Sequence, residues 1–188
     1  MPHLTIRTPK RARRPHSSTV DPKFTQWALG VRRSAIHGTG VFALETIPRG
    51  ARVVEYTGQR ISRAEAHRRS QRWERAGARG PIYLASVSAR VVIDGAFGGC
   101  GAELVNHSCA PNVVPLKRRG RLWFVSKRRI AAGDELTLDY AVSPDAVHVK
   151  CRCGAKNCRG TINLSRKRRA TRKSSPKRKR ARRRMAKR

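Results

Sequence analysis

Short apolar runs separated by Gly and Pro dominate the chain from Trp27 onward. In VFALETIPRGARVVEYTGQRI the apolar residues come in bursts on either side of a predicted turn at Pro48–Gly50, which is typical of short strands. Similar runs return in IYLASVSARVVIDG and in NVVPLKRRGRLWFVSKRRI, where Lys117 to Gly120 is the predicted hairpin turn. A last strand should follow a turn at Gly133-Asp134, in AAGDELTLDY. The pattern predicts a mainly β domain with few short helices.

One helix is predicted between Ser62 and Ala76. Ser62 and Glu65 have the spacing of a capping box, in which two side chains accept backbone N–H groups at the start of a helix. Gly77 follows as a stop signal, because glycine readily adopts the left-handed conformation that ends helices. The chain shows no alternation of strands and helices around a glycine-rich phosphate loop, which argues against a Rossmann-type fold.

Lysine and arginine are abundant at both ends of the chain. The 188 residues include 44 Lys and Arg against 11 Asp and Glu, a formal net charge of +33. Residues 165–188 hold 15 basic residues and no acidic one, and residues 1–26 hold six basic residues and one acidic, which leaves +13 on 27–164. We therefore predict a disordered basic N-terminal arm at 1–26 and a disordered Lys/Arg-rich tail at 165–188 that contacts nucleic acid.

The compartment follows from what the sequence lacks. No run approaches the roughly 20 apolar residues of a membrane span, and the N-terminus does not have the pattern of a secretory signal. We expect an intracellular, nucleic-acid-associated protein, in the nucleus and on chromatin or in a bacterial nucleoid. In such a compartment, the five cysteines are expected to be metal ligands or free thiols rather than disulfides.

Three cysteines near the C-terminus are spaced for a metal: Cys151, Cys153 and Cys158. Structural zinc takes four ligands in a tetrahedron, so a further residue must complete the set. Three residues are candidates for that position: Cys100, Cys109 and His148. The alternative interpretation is a group of free cysteines or an oxidised pair.

Two other short motifs are ambiguous when taken alone. The polar loop from Asn106 to Asn112 has the composition of an ordinary turn with a hydrogen-bonded histidine. The tripeptide Gly38-Thr39-Gly40 indicates no more than a tight approach of the backbone to another group. Neither motif specifies a function by its spacing.

The order of the motifs is more specific than any one of them. Between residues 27 and 164 the chain resembles the SET-domain lysine methyltransferases, through segments that occur in the family's order: His37–Phe42, Glu55–Gly58, Tyr83–Leu84, Ile93–Asp94, Asn106–Asn112, Glu135–Tyr140 and the cysteine cluster. The resemblance implies a SET-domain (β-clip-like) fold with a pseudoknot crossing near Tyr140. It places a SET domain at 27–146 and a post-SET zinc-binding segment at 147–164, flanked by the disordered basic tails.

The same resemblance implies roles for individual residues. S-adenosyl-L-methionine, the methyl donor, would be held by seven residues: His37, Gly38, Thr39, Gly40, Tyr83, Asn106 and His107. Tyr140 would be the catalytic residue. Zinc would be held by four cysteines: Cys109, Cys151, Cys153 and Cys158.

The function implied is S-adenosylmethionine-dependent N-methylation of lysine on a histone or histone-like basic protein. Two alternatives are a non-catalytic SET-like binding module and an architectural nucleic-acid-binding protein. The chain departs from the family at Leu138, where Phe or Tyr usually limits the number of methyl groups added, which leaves that number open. Three further departures remove no reacting group: Gln59, Cys100 and Glu103.

Overall fold

Most of the regular elements are short strands, as the apolar pattern predicts. The computed structural model describes residues 19–75 and 83–165. Their strands are β1 Leu29–Arg33, β2 Thr39–Ala43, β3 Arg52–Glu55, β4 Gln59–Ser62, β5 Leu84–Ser86, β6 Val91–Asp94, β7 Asn106–His107, β8 Val113–Arg118, β9 Arg121–Ser126 and β10 Thr137–Leu138. The helix α1 spans Arg63–Arg75, and two 3-10 turns span Pro22–Phe24 and Ala102–Leu104. Across the described ranges, no helix is both long and apolar enough to cross a bilayer.

The strands form small separate sheets around one main core. β1 pairs with β2, β9 lies between β3 and β8, and β6 lies between β4 and β5, all antiparallel. The short strands β7 and β10 pair in parallel. Fully buried side chains such as Val41, Ile47, Val53 and Leu136 fill the space between these sheets.

The predicted hairpin is confirmed, with a tighter turn than expected. β8 and β9 are joined by Arg119 and Gly120, which have φ values of 49° and 72°. Two central residues with positive φ match the twist of antiparallel strands, and glycine adopts this conformation without steric cost. The pairing therefore continues through Lys117 and Arg118, which the sequence assigned to the turn.

The predicted helix is also confirmed, and its N-terminal cap is half of a capping box. The Ser62 hydroxyl accepts the backbone N–H of Glu65 at 3.2 Å. The Glu65 carboxylate instead binds Arg68 and Arg69, at 2.8 and 2.9 Å. Gly77, the expected stop signal, lies outside the described residues.

The boundary of the N-terminal arm is wrong by several residues. Val20 is buried in the main core, and Phe24 packs against it. The Asp21 N–H also donates to the carbonyl of Cys100 at 2.8 Å. Two apolar side chains in a mainly polar segment anchor residues 19–26 to the domain because burying them removes apolar surface from water. The rest of the predicted arm, 1–18, and residues 166–188 of the predicted tail lie outside the described residues.

Asn112 fixes the crossing of distant chain segments. Its side chain is fully buried, its Nδ2 donates to the Glu135 carbonyl, and its Oδ1 accepts the Thr137 N–H, both at 2.8 Å. These bonds hold the segment before β10 against the loop that follows β7. As a result, Tyr140 is brought next to residues more than thirty positions earlier in the chain.

We expect Asn112→Ala to destabilise the domain by roughly 2–5 kcal/mol. The change leaves the part-buried Glu135 carbonyl and the buried Thr137 N–H without these partners, and each unsatisfied buried group costs about 1–3 kcal/mol. Urea unfolding followed by circular dichroism measures the change. Gln59→Ala, at an exposed position of β4, is the control and should stay within about 0.5 kcal/mol of wild type. Equal stability of both variants would contradict the role given to Asn112.

Candidate functional site

Asn106 ties the loop between β1 and β2 to the crossing. Its Nδ2 lies within hydrogen-bond distance of three oxygens: the carbonyls of His37 and Thr39, at 3.2 and 3.1 Å, and Glu135 Oε1, at 2.8 Å. The Asn106 side chain is buried, so these bonds form away from water. The structure thus brings the predicted cofactor loop and the predicted Asn-His pair into direct contact.

The two glycines of that loop have different structural reasons: close packing at Gly40 and a positive φ at Gly38. A Cβ atom on Gly40 would overlap the Glu135 carboxylate and approach Asn106 Nδ2 to 3.1 Å. Glu135 has little freedom to move, since the Ser34 hydroxyl lies 2.8 and 2.9 Å from its two oxygens. Gly38 has a φ of 49° with open space around it, and the neighbouring His37 is exposed. The loop therefore presents open backbone to a ligand.

His107 is buried and links the crossing to the cysteines. Its Nδ1 accepts the backbone N–H of Tyr140 at 3.2 Å, which leaves Nε2 to carry the proton in the neutral ring. Nε2 lies 3.5 Å from Cys109 Sγ. Burial lowers the pKa of His107, against the opposing charge of Asp139. The ring is therefore neutral at pH 7 and oriented by a contact on each side.

Tyr140 lies at the centre of the candidate site. Its hydroxyl donates to the Val105 carbonyl at 2.9 Å, and its ring meets the His107 ring edge-on at 5.3 Å between centroids. Burial raises the pKa of Tyr140 to about 12, with smaller contributions from Tyr83 and Glu135. The residue nevertheless keeps 43% of its surface exposed. Its hydroxyl is therefore protonated and hydrogen-bonded at neutral pH, while part of the residue stays exposed to solvent.

Two further side chains near Tyr140 shape the site. Tyr56 is buried and donates its hydroxyl to the Tyr83 carbonyl at 2.7 Å. Burial raises the pKa of Tyr56 well above its usual value, with help from Glu103 and Asp94. Leu138, in β10, packs against the same core as Tyr83. Tyr56 was not among the predicted site residues, although it lies within the quoted Glu55–Gly58 motif.

Four cysteine sulfurs converge beside the crossing. The Sγ atoms of Cys109, Cys151, Cys153 and Cys158 lie within 4.8 Å of one another. Ligands about 2.3 Å from a tetrahedral zinc are about 3.8 Å apart, and the Cys109 and Cys151 sulfurs are separated by 3.8 Å. Cys100 lies elsewhere, with its thiol directed at the Glu55 carbonyl at 3.1 Å. The structure thus places Cys109, rather than Cys100 or His148, with the C-terminal trio.

Backbone N–H groups surround these sulfurs. The N–H groups of Cys109, Arg159 and Gly160 each donate to a cysteine sulfur at 3.4 Å. Burial disfavours the Cys153 thiolate, but bonds from the Cys109 and Ala155 backbones outweigh it and lower the pKa of Cys153, whereas burial raises the pKa of both Cys109 and Cys151. Donors directed at sulfur stabilise thiolates, the form that binds zinc. The donor set and its surroundings fit a structural zinc ion.

Arg159 joins the cysteine segment to the residue before Tyr140. Its guanidinium forms two bonds with the Asp139 carboxylate, at 2.8 and 3.0 Å. Arg159 lies next to Cys158, and Asp139 Oδ1 lies 3.7 Å from His107 Nδ1. A displacement of the cysteine segment can therefore be transmitted through Arg159 to Asp139 and His107, which both contact the Tyr140 backbone or adjoin it.

Comparison with known proteins identifies the family of this domain. The sequence profile of the SET domain matches residues 38–141. The human histone-lysine N-methyltransferase SETD1B is 37% identical over 145 residues, which are 75% of this chain and 7% of that protein. A histone-lysine N-methyltransferase described as H3 lysine-4 specific, from Schizosaccharomyces pombe, is 36% identical over 134 residues, or 69% of this chain and 14% of that protein. The chain thus spans a small part of the length of these relatives.

The likeness extends to solved structures. KRYPTONITE, crystallised with mCHH DNA, an H3(1-15) peptide and SAH, superposes with a TM-score of 0.60 at 28% sequence identity. The match covers 73% of this chain and 30% of that one. The expected fold, mainly β with a crossing next to Tyr140, is therefore confirmed.

Proposed function

Because this chain belongs to the SET-domain family, we propose that it transfers a methyl group from S-adenosylmethionine to lysine nitrogens of a histone or histone-like protein. The observation that carries the proposal is the meeting of three segments at one point. The loop at 37–40, the pair Asn106-His107 and Tyr140 are joined by direct hydrogen bonds although they are distant in sequence. The names of the relatives and the SAH-bound neighbour support the reaction class.

The cofactor would be held by the seven residues that the family resemblance implies. When bound, S-adenosylmethionine supplies an electrophilic methyl group on a positively charged sulfur. Asn106 fixes the backbone at His37 and Thr39, and the backbone at Gly38 has open space around it. Tyr83 contributes the carbonyl that receives the Tyr56 hydroxyl. This fixed, glycine-lined backbone suits a ligand that is recognised through main-chain groups.

Tyr140 would orient the lysine amine. Its hydroxyl donates to the Val105 carbonyl, so the oxygen's lone pairs remain available to accept an N–H from the substrate. A pKa of about 12 keeps the hydroxyl protonated at neutral pH, so Tyr140 would meet the amine as a neutral hydroxyl. The lysine must lose its proton before it attacks, and a buried channel beside a sulfonium charge lowers its pKa. Correct alignment supplies much of the rate.

The post-SET segment at 147–164 would hold one zinc ion through Cys109, Cys151, Cys153 and Cys158. Zinc would then fix Arg159 on Asp139, beside Tyr140. The number of methyl groups added is open, because Leu138 replaces the aromatic residue that is usual in the family.

A basic substrate raises an electrostatic problem that DNA can solve. Residues 27–164 carry about +13, so a histone-like tail would be repelled at long range. If the enzyme and its substrate are both held on DNA, a high effective concentration replaces direct attraction. We therefore propose a chromatin-associated enzyme whose basic segments contact nucleic acid.

Removing residues 165–188 should separate tethering from catalysis. The segment carries 15 positive charges, so its loss should flatten the salt dependence of DNA binding, which arises from counterion release. Methylation of a DNA-bound protein should slow, while methylation of a short free peptide is retained. Both rates can be measured with radiolabelled cofactor. An equal loss on the two substrates would mean that the tail supports the active site itself.

The substrate class is tested by incubating the full chain with labelled S-adenosylmethionine and a mixture of histones and bacterial nucleoid proteins. Mass spectrometry of every labelled chain identifies the target and its modified residue. We expect label on lysine of a basic DNA-associated protein. Label confined to acidic proteins, or none with zinc-loaded enzyme, would contradict the proposal.

A further inference from the structure

A basic sheet surface, separate from the residues around Tyr140, has no part in the function proposed above. It lies on β8, β9 and the start of β3, and we call it the hairpin face. Its residues line a shallow cleft of about 320 Å³: Arg52, Leu116, Arg118, Arg119, Arg121 and Trp123. Four of the six are arginines and none is acidic, so the cleft has one sign of charge.

Strand register concentrates the positive charge on this face. Arg118 lies directly opposite Arg121, and Leu116 lies directly opposite Trp123. Like charges opposite one another destabilise a strand pair. Within the described ranges, one carboxylate forms an ion pair with an arginine of this face. It is that of Glu55, which lies 2.9 Å from Arg121 Nε. Arg52, Arg118 and Arg119 have no ion-pair partner among the described residues, so an external anion would relieve their repulsion.

Trp123 indicates which kind of anion fits. The guanidinium carbons of Arg52 and Arg121 lie over its ring, at 5.5 and 5.7 Å from the centroid. A ring covered by guanidinium groups is a poor stacking platform for the unpaired bases of a single strand, which rely on open aromatic faces. Fixed guanidinium groups suit phosphates, since their fork of N–H donors matches phosphate oxygens. Arg60, held 2.8 Å from the Gly120 carbonyl, adds another cation at the hairpin tip.

We propose that the hairpin face binds the phosphate backbone of double-stranded DNA, in addition to any contact made by the basic ends of the chain. The Tyr140 hydroxyl bonds Val105 and its ring packs on His107, and neither residue belongs to the hairpin face. The face would fix the orientation of the domain on DNA, which a basic tail alone does not do.

The test compares two variants of the full chain that lose the same charge. Arg52→Gln with Arg118→Gln alters the hairpin face, and Arg72→Gln with Arg75→Gln alters α1. Affinity for a short DNA duplex is measured over a range of salt concentrations by fluorescence anisotropy. The hairpin variant should make the negative slope of log affinity against log salt shallower by about 1.8, because each lost phosphate contact contributes about 0.9. The α1 variant should keep the wild-type slope.

Two results would overturn the proposal. Equal slopes for the two variants would mean that overall charge, rather than this surface, sets the affinity. A larger loss for single-stranded RNA of the same length than for the duplex would make the face a single-strand site. If the double variant unfolds at a lower temperature than wild type, Arg119→Asn replaces it, because asparagine tolerates the positive φ at that position. That variant should make the slope shallower by about 0.9.

Discussion

Tyr140→Phe should lower turnover by at least about 100-fold while leaving cofactor affinity nearly unchanged, in line with the loss of a positioned polar group at a reacting centre. The ring and its edge-on contact with His107 would remain. Only the hydroxyl, bonded to Val105 at 2.9 Å, would be lost. Steady-state kinetics with a histone substrate give kcat and KM, and calorimetry gives the affinity for S-adenosylmethionine.

Tyr56→Phe is the matched control for that prediction. It also removes one tyrosine hydroxyl bonded to a backbone carbonyl, that of Tyr83 at 2.7 Å, at a residue more deeply buried than Tyr140. Its cost in stability should be at least that of Tyr140→Phe, and its cost in turnover clearly smaller. Unchanged turnover in Tyr140→Phe would remove Tyr140 from catalysis and favour a non-catalytic binding module.

Removing zinc should abolish activity. We expect one tightly bound zinc per chain in protein purified without oxygen, and we expect chelation to release the segment that holds Arg159 on Asp139. Since His107 and Asp139 both adjoin Tyr140, loss of these contacts would leave the Tyr140 hydroxyl poorly placed. Metal analysis and methyl transfer are measured on the same sample, before chelation and after zinc is restored.

Two cysteine variants make this prediction specific. Cys151→Ser removes a sulfur from the cluster and should lose both metal and activity. Cys100→Ser alters a thiol that is also buried but lies against the Glu55 carbonyl, and it should keep its metal. Full activity in protein shown to contain no metal would contradict the role given to zinc.

Local signals in the sequence were enough to predict the hairpin and the helix. The cap at Ser62 and the turn ending at Gly120 depend on residues within a few positions of each other, and both appear in the structure. The parallel pair of β7 with β10 joins two strands of two residues each. Such short strands have no periodicity to detect, so the crossing was predicted only from the resemblance to a family.

Other features were not predicted because they depend on contacts between residues that are distant in sequence. Val20 and Phe24 are isolated apolar residues in a mainly polar stretch, and only the fold shows the core that buries them. Glu135 fixes Asn106 and excludes a side chain at Gly40, yet an acidic residue in a strand-like run usually indicates exposure. Spacing alone did not identify the fourth metal ligand, because Cys109 lies more than forty positions before Cys151 in the sequence.

Methyl transfer to lysine is tested most directly by identifying the atom that receives the methyl group. The zinc-loaded full chain is incubated with S-adenosylmethionine that carries a deuterated methyl group and with its basic protein substrate, and the product is sequenced by tandem mass spectrometry. We expect deuterated methyl on a lysine side-chain nitrogen with the wild type, and a signal reduced at least about 100-fold with Tyr140→Phe. Label on a residue other than lysine, or equal lysine labelling by wild type and Tyr140→Phe, would contradict this expectation.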